Sequence, residues 1–385
     1  MTSLTASAVA DLAIYIHWPF CKKKCPYCDF NSHVRDGVDQ AAWRSALLRE
    51  LRYWHARLDT PHRVSSIFFG GGTPSLMPPQ TVAALIAEVK ALFPTTPDLE
   101  ITLEANPTSV EAANFAALAD AGVNRVSLGV QSLQPQSLAF LGREHSAHEA
   151  LEAVGLAAKY FPRYSFDLIY ALPGQNLKDW EAELTHALSF ARGHLSLYQL
   201  TIEPNTAFHH QYHVQHAFAL PQEELAADLY ALTQAVMTER GMPAYEISNH
   251  AAPGQQSRHN LSYWRSEAYL GIGPGAHGRV DLAAGRVATR TLKSPERWLD
   301  LVQQRGHGLE EETSLTTQER LEETVLMGLR LPQEGIAYAA LPQHVHHRAA
   351  PLITEGLLVH NDDRLRVTAQ GMPVLNAIIA SLLRS

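Results

Sequence analysis

No run of eighteen or more apolar residues occurs in the 385-residue sequence, so no helix of it is expected to cross a bilayer, and membrane contact is at most peripheral. The opening MTSLTASAVADLA has neither the basic start nor the long apolar stretch of a secretory signal, and a cytoplasmic location is expected. Cations are in short supply: 31 Lys and Arg face 39 Asp and Glu, a formal charge of -8. That balance leaves no electrostatic footprint for a phosphate backbone and argues against a nucleic-acid partner. Internal repeats and low-complexity linkers are missing too. Cysteine is scarce, at three residues, and the odd number argues against a disulfide framework. In a reducing compartment such cysteines serve more often as metal ligands or nucleophiles than as crosslinks. What is plentiful is apolar side chain, 46% of the sequence, enough for one large catalytic domain and a smaller appended one.

All three cysteines fall in CKKKCPYC, as Cys21, Cys25 and Cys28. Thiolates spaced by three and then two residues can close around one metal centre. If that centre has four irons, the loop is one sulfur short and one iron stays open to a substrate or cofactor. The rival is a structural zinc completed by His33 as Cys3His, which would make the chain a zinc-stapled barrel with only a scaffolding role. The loop follows the apolar strand LAIYIHW, where α/β enzymes build active sites. Flanking Lys22, Lys23 and Lys24 are expected to favour thiolates.

An amphipathic stretch from Asp39 to Leu58 predicts a helix, and VSSIFFGGG from Val64 a buried strand ending in glycines. Strand-like runs recur at Glu100 to Asn106, Arg125 to Ser132, Tyr164 to Gly174 and His194 to Pro204, each separated by helical patterning. Six strands alternating with helices imply a parallel sheet curled into a barrel or part of one, with ligand residues at the carboxyl ends of the strands. Polar residues meet that expectation. Gly70, Gly71 and Gly72, followed by Thr73 and Pro74, close the second strand and let backbone approach a ligand. Glu104 ends the third, Gln131 the fourth, and Asp167 interrupts the fifth.

Beyond Pro204, NTAFHHQYHVQHAFALP carries His209, His210, His213 and His216, whose spacings of three and four could put several imidazoles on one helical face, as a metal or heme-iron site needs; flanking prolines disfavour a long helix, and a solvated surface is expected. A long helix from Gln222 to Arg240 and a short strand AYEISNHA follow. HNLSYW then offers His259 as an iron ligand and Tyr263 and Trp264 as flat faces for a porphyrin; the alternative is aromatic packing at the barrel edge with His259 hydrogen-bonded. Gly271, Gly273 and Gly275 have no dinucleotide-type strand and helix around them. From about Ser314 helices and a hairpin around Asn361, Asp362 and Asp363 suggest a small winged-helix-like unit, read as a lid or docking element. The expected divisions are a core barrel over 10–205, a connecting segment packing on it over 206–310, and a C-terminal unit over 311–385.

IHWPFCKKKCPYCDF resembles the CxxxCxxC loop of the radical S-adenosylmethionine superfamily, with Tyr27 as the aromatic before the last cysteine. Within that superfamily the chain resembles the oxygen-independent coproporphyrinogen III dehydrogenase (HemN-like) group, most closely its shorter heme-chaperone (HemW) branch, whose HNxxYW motif HNLSYW matches. The resemblance implies an α/β fold, an incomplete (β/α)6 TIM-like barrel with a small C-terminal domain. It implies a [4Fe-4S] cluster on Cys21, Cys25 and Cys28. It implies S-adenosylmethionine held by Tyr15, Tyr27, Gly71, Gly72, Thr73, Glu104, Gln131, Arg143 and Asp167, with Arg143 pairing the methionine carboxylate and Asp167 or Glu104 taking ribose hydroxyls. Heme at His259, Tyr263 and Trp264, an electron donor, and heme-accepting hemoproteins complete the implied set. The dehydrogenases resemble CxxxCxxCxC and share an amino-terminal extension of several tens of residues. Here Phe30 stands at the fourth cysteine and the first strand starts near Leu12, which favours heme chaperone over oxidative decarboxylation of coproporphyrinogen III.

Overall fold

A computed structural model describes residues 9–35 and 37–384, so most of the opening segment inspected for a targeting signal lies outside the described residues. The six expected strands form: β1 Ala10–Trp18, β2 His62–Gly71, β3 Thr95–Ala105, β4 Arg125–Gln131, β5 Arg163–Tyr170 and β6 His194–Gln199. They pair in sequence order and in parallel, as right-handed βαβ crossovers require. Between them run helices that end where the local chemistry says they should. Gln40–Arg57 starts on Asp39, whose carboxylate accepts the N–H groups of Ala41 and Ala42. Ala147–Tyr160 starts on a capping box of Ser146 and Glu149.

The strands are apolar on the face that meets these helices. Leu12, Ile14 and Ile16 of β1, Ile67 and Phe69 of β2, and Leu103 of β3 join Leu47, Leu51, Trp54 and Leu85 in one continuous buried core. The opposite, inward face carries Tyr15, Phe68, Glu104, Arg125, Ser127, Asp167, Ser196 and Tyr198, so the barrel interior is polar where a purely structural barrel packs branched aliphatics.

Residues 206–310 do more than connect. β7 Asn249–Ala251 adds antiparallel to β6, while β8 Ala268–Ile272 pairs in parallel with β1 on its other side. A hairpin of β9 His277–Leu282 and β10 Gly285–Thr291, and then β11 Leu309–Ser314, extend that flank antiparallel. The result is one eleven-stranded sheet in the order β11-β10-β9-β8-β1-β2-β3-β4-β5-β6-β7. Strands β8 to β11 escape a periodicity reading because they are short and carry glycine and charge within their runs. Gly271 lies within β8 and Gly273 just after it, with a strand and no helix following, and a Cβ on either would strike backbone oxygen, that of His277 or of His17. A buried carboxylate locks the same corner. Glu50 accepts the N–H groups of Gly273 (2.8 Å) and Gly308 (2.6 Å) and the indole N–H of Trp298 (3.2 Å).

Strand β11 belongs to this sheet, and the C-terminal unit begins after it. Helices Thr317–Gly328, Gln343–Thr354 and Leu375–Leu383 and a three-stranded sheet enclose a second core of Val325, Leu329, Leu358, Leu365 and Ile379. The expected hairpin is present, Leu358–Asn361 with Arg364–Val367, and Asp362 and Asp363 both take positive φ as a tight two-residue turn demands. Ion pairs Arg265–Glu334 and Arg279–Glu323, both 2.7 Å, dock the unit on the barrel flank.

Gly273→Ala tests the close approach of β8 to β1, since it meets both a positive φ of 100° and the His17 carbonyl. A loss of about 2 kcal/mol or more in urea unfolding is expected, whereas Ala substitution at Gly155, which has open space around it, should change stability by under about 1 kcal/mol.

Candidate functional site

The carboxyl ends of the strands open on one cavity of about 420 Å³, lined by Cys21, Cys25, Cys28, Gly71, Gly72, Thr73, Glu104, Gln131, Arg143 and Asp167 among others. Of the twelve residues expected to hold cluster or S-adenosylmethionine, Tyr27 lines it too, and only Tyr15 does not.

The cysteine loop is a closed lobe. Phe20–Cys21 and His33–Val34 pair in parallel at its neck, and the His17 ring N–H donates to Asn31 O at 2.9 Å. Asn31 in turn donates to the carbonyls of Pro274 and Lys293, both at 3.0 Å, tying the loop to the β8–β9 corner. The glycines after β2 lie against this lobe. Gly72 N–H donates to Trp18 O (2.7 Å) and Thr73 N–H to Phe20 O (2.8 Å), and a Cβ on Gly72 would come within 2.7 Å of Phe20 O. Missing side chains here therefore let backbone approach backbone first; Gly71 and Gly72 still face the cavity.

Each thiol has a polar neighbour: Thr73 Oγ1 donates to Cys21 Sγ (3.5 Å), Arg143 Nη1 to Cys25 Sγ (3.2 Å), and Ser32 Oγ lies 3.8 Å from Cys28 Sγ. The expectation that the three lysines favour thiolates is not met for Cys21 and Cys28. Burial pushes both thiols up, and Lys24 is only a minor opposing influence on Cys28, because the lysines point to solvent. Among the described residues no three His, Cys, Asp or Glu side chains converge on one ion-sized point, and His33 Nε2 is turned to Asn31 Oδ1 at 3.1 Å. His33 is thus engaged by Asn31 and not presented to the thiols as a fourth ligand.

Arg143 is the second departure. Besides Cys25, its guanidinium donates to Asn106 Oδ1 and Gly129 O, both at 2.7 Å, so it clamps the cysteine loop to the ends of β3 and β4 instead of presenting a free fork to a carboxylate. Asn106, which the strand-end reading missed, also donates to Thr73 Oγ1 (3.2 Å) and is held by buried Glu111 through its own N–H (2.8 Å). The residue at a strand end following an apolar run was a readable signal, two positions past Glu104.

Glu104 and Asp167 face the cavity from the barrel wall. Burial raises Glu104 to about 8, helped by the nearby Asp167 carboxylate and opposed by the N–H of Gly71. Burial raises Asp167 to about 6, opposed by hydroxyl donors on Ser196 and Ser127. Near neutral pH the first is mostly a protonated donor and the second mostly an ionised acceptor. Gln131 holds φ at 72°, a left-handed conformation that costs a non-glycine residue of order 1 kcal/mol and turns its amide to the cavity.

Below lies a second chamber of about 220 Å³, bounded by Tyr15, Phe68, Glu104, Arg125, Asp167, His259, Asn260 and Tyr263. The HNLSYW motif forms a helix of about two turns, Arg258–Trp264, capped by Ser257, and it floors this chamber. His259 is 1% exposed, with Nδ1 at 3.0 Å from Ser66 Oγ and Nε2 at 2.7 Å from Tyr263 Oη. Its ring stacks on Phe68 and Tyr15, and burial lowers it to about 3. Trp264 packs with Tyr245, Leu261 and Leu331. The motif's histidine thus has neither a free nitrogen nor an open face for a porphyrin, and of its two readings the packing one describes the structure. Tyr15, stacked there and donating to His17 Nδ1 (3.0 Å), sits a layer beneath the main cavity.

Glu50, raised by burial to about 7, and Glu104 bind protons in the fold that the unfolded chain has already released. Their stability contribution is full below the ordinary carboxylate range and lost as pH rises toward 8. Buried His17, His145 and His250, each lowered to about 4, oppose this below pH 6.5, where the unfolded histidines charge. Melting temperature of the cofactor-free chain should therefore peak near about pH 6 and fall between about 6.5 and 8.5. Glu104→Gln should flatten that upper slope; an unchanged slope would remove Glu104 as its source.

With this geometry in place, comparison with known proteins is direct. Residues 15–187 match the radical SAM superfamily and residues 315–374 the HemN C-terminal domain. The chain is 41% identical over 387 residues to radical S-adenosyl methionine domain-containing protein 1, mitochondrial, of Bos taurus, covering 96% of this chain and 87% of that one. It is 38% identical over 381 residues to heme chaperone HemW of Escherichia coli (strain K12), covering 96% and 97%. Coproporphyrinogen III oxidase (HemN) from Escherichia coli superimposes with a TM-score of 0.80 over 97% of this chain and 90% of that one, at 23% identity, a likeness of fold. With its barrel matched by that superfamily and its whole length by such relatives, the chain belongs to the radical S-adenosylmethionine superfamily, and a [4Fe-4S] cluster and S-adenosylmethionine are its cofactors.

Proposed function

We propose that the chain is a heme chaperone: it binds heme and hands it to hemoproteins, and carries its cluster and S-adenosylmethionine at the strand ends. The observation that carries this reading is the end-to-end similarity to proteins named heme chaperone HemW. Phe30 supports it. Where the dehydrogenases resemble one another in a further cysteine, this chain has an aromatic side chain 58% exposed at the cavity rim.

The cavity fits the cofactors. Three thiols border one space, the donor set that binds three corners of a four-iron cube and leaves the fourth open. Arg143, which lines the same cavity, keeps one buried donor, Nε, without a partner. We assign the cluster to Cys21, Cys25 and Cys28, and S-adenosylmethionine to Tyr27, Gly71, Gly72, Thr73, Glu104, Gln131 and Asp167. Bound together, the two cofactors supply one-electron reductive cleavage of a sulfur–carbon bond. The chain's own part is orientation and proton placement. Arg143 fixes Cys25, Asp167 accepts from hydroxyls, Glu104 donates while protonated, and Leu200 and Ile169 exclude water from the far wall. An electron donor and hemoprotein acceptors are the implied partners. No described helix is long and apolar enough to cross a membrane. We place the chain in a reducing compartment, the cytoplasm, where its three free thiols stay available; several relatives are named as mitochondrial.

Anaerobically reconstituted protein should hold about four iron and four acid-labile sulfide per chain, and Cys25→Ser should lose most of both. Added heme should give a shifted Soret band, and incubation with an apo-hemoprotein should transfer it. Conversion of coproporphyrinogen III to protoporphyrinogen IX in the same preparation, without heme transfer, would replace this reading with the dehydrogenase.

A further inference from the structure

Resting on the heme-chaperone reading, we infer that heme iron is ligated by the histidines of the short helix Ala207–His213, His209 or His213, and that His259 takes no part. The case begins with what is closed. His259 has both nitrogens engaged between Ser66 and Tyr263, and the 220 Å³ chamber above it is too small for a tetrapyrrole. Reaching it would mean pulling the Arg258–Trp264 helix out of the barrel floor. The main cavity, about 420 Å³, is already shared by a cluster and a nucleoside-bearing cofactor. A macrocycle therefore lies outside both.

The Ala207–His213 helix offers what the interior does not. It hangs directly on the cysteine loop, where Phe208 N–H donates to Pro26 O at 2.9 Å and the Phe208 ring meets Tyr27 at 6.3 Å. His209 and His213 stand one turn apart with ring centroids 4.5 Å from each other, on the same helix face. Among the described residues no hydrogen bond occupies a side-chain nitrogen of His209, His210 or His213. A neutral imidazole so placed keeps a lone pair for iron. Around them is an aromatic shelf: Tyr212 lies 4.8 Å from His213 and 5.6 Å from Phe218, and Phe218 lies 5.1 Å from Phe140. Val214, next to His213, is 62% exposed. The shelf continues inward through Ile169, Leu200 and Tyr27, which also line the cofactor cavity. On the supporting loop Lys22 and Lys24 are exposed, while Lys23 is paired with Glu144 at 3.5 Å.

Both histidines project from one helix, so they approach heme from one side, and one at a time can be the axial ligand. The opposite face of the iron stays open. An acceptor's own ligand can then bind before this chain lets go, which is the geometry a transfer protein needs and a storage site avoids.

The test uses the full chain with its cluster reconstituted, titrated anaerobically with ferric heme and followed by Soret absorbance, with iron and sulfide content checked in each variant. His209→Ala combined with His213→Ala should lose the wild-type Soret position and bind heme about tenfold or more weaker. His259→Gln should keep both, and so should His344→Ala combined with His347→Ala, which removes two exposed histidines of the C-terminal unit. If the first double variant binds as wild type, or if His259→Gln or the C-terminal pair abolishes the band while cluster content is intact, the inference is wrong and the chaperone reading stands. If wild-type protein itself shows no heme band, the chaperone reading fails.

Discussion

Everything at the cofactor end of the barrel depends on two backbones lying closer than side chains would allow. The stretch from Gly70 to Thr73 donates N–H···O bonds at 2.7 and 2.8 Å to the stretch from Trp18 to Cys21, with no room for a Cβ at Gly72. This contact sets where Cys21 points, because Thr73, immediately after the last glycine, donates to its sulfur. Thr73 is itself held by Asn106, and Asn106 by Glu111 and by Arg143, which reaches across to Cys25. Two of the three cysteines are thus positioned through one connected chain of polar contacts from β2, β3 and β4. Such networks are valuable only when complete, since a half-satisfied buried polar group costs more than it returns.

The same reasoning explains why the interior can be polar. Buried Glu100 pairs with Arg163 at 2.6 Å, and Arg163 also donates to the carbonyls of Gln255 and Gln256, which tie β5 to the loop leading into the floor helix. Arg125, 3% exposed, faces the lower chamber and opposes the rise of both Glu104 and Asp167. Desolvation nevertheless wins for both carboxyls, and their unequal rise separates a donor from an acceptor a short distance apart. A barrel filled with aliphatic side chains would be more stable and would have no such pair.

Much of this was legible in the sequence. Six strands announce themselves because strands buried on both sides of a parallel sheet read as apolar runs, and the polar residues that interrupt or end those runs do line the cavity. The limits are as physical. Alternation with period two tells which face of a strand a residue occupies but not its depth: Tyr15, three residues before the end of β1, lines the lower chamber, which shares Glu104, Ser127, Asp167 and Tyr198 with the main cavity. Sequence adjacency put three lysines next to three thiols, but side chains of consecutive loop residues diverge and solvent screens the lysines. Arg143 could be assigned to the cavity, yet its partners Asn106 and Gly129 are 37 and 14 residues away and become neighbours only through the sheet. Strand β8 depends on pairing with a strand more than 250 residues earlier, which no local pattern encodes, and β9 to β11 build outward from it.

The HNLSYW segment shows most clearly how a chemically suggestive motif can be satisfied internally. A histidine and two aromatics four and five residues on are what an iron–porphyrin site needs, and equally what a barrel floor needs: a ring to stack on Tyr15 and Phe68, a phenol to close the hydrogen bond, and an indole to meet the C-terminal unit. What separates the two uses is solvent access, and a 1% exposed imidazole with two partners has none to offer. A protein whose task is to release its cargo gains nothing from burying the ligand that holds it. Binding energy spent on enclosure must be returned at transfer, whereas a single imidazole on an exposed shelf can be displaced step by step. The division in this fold follows: the sealed, pre-organised interior serves the cofactors, which stay, and the rim serves the ligand, which leaves.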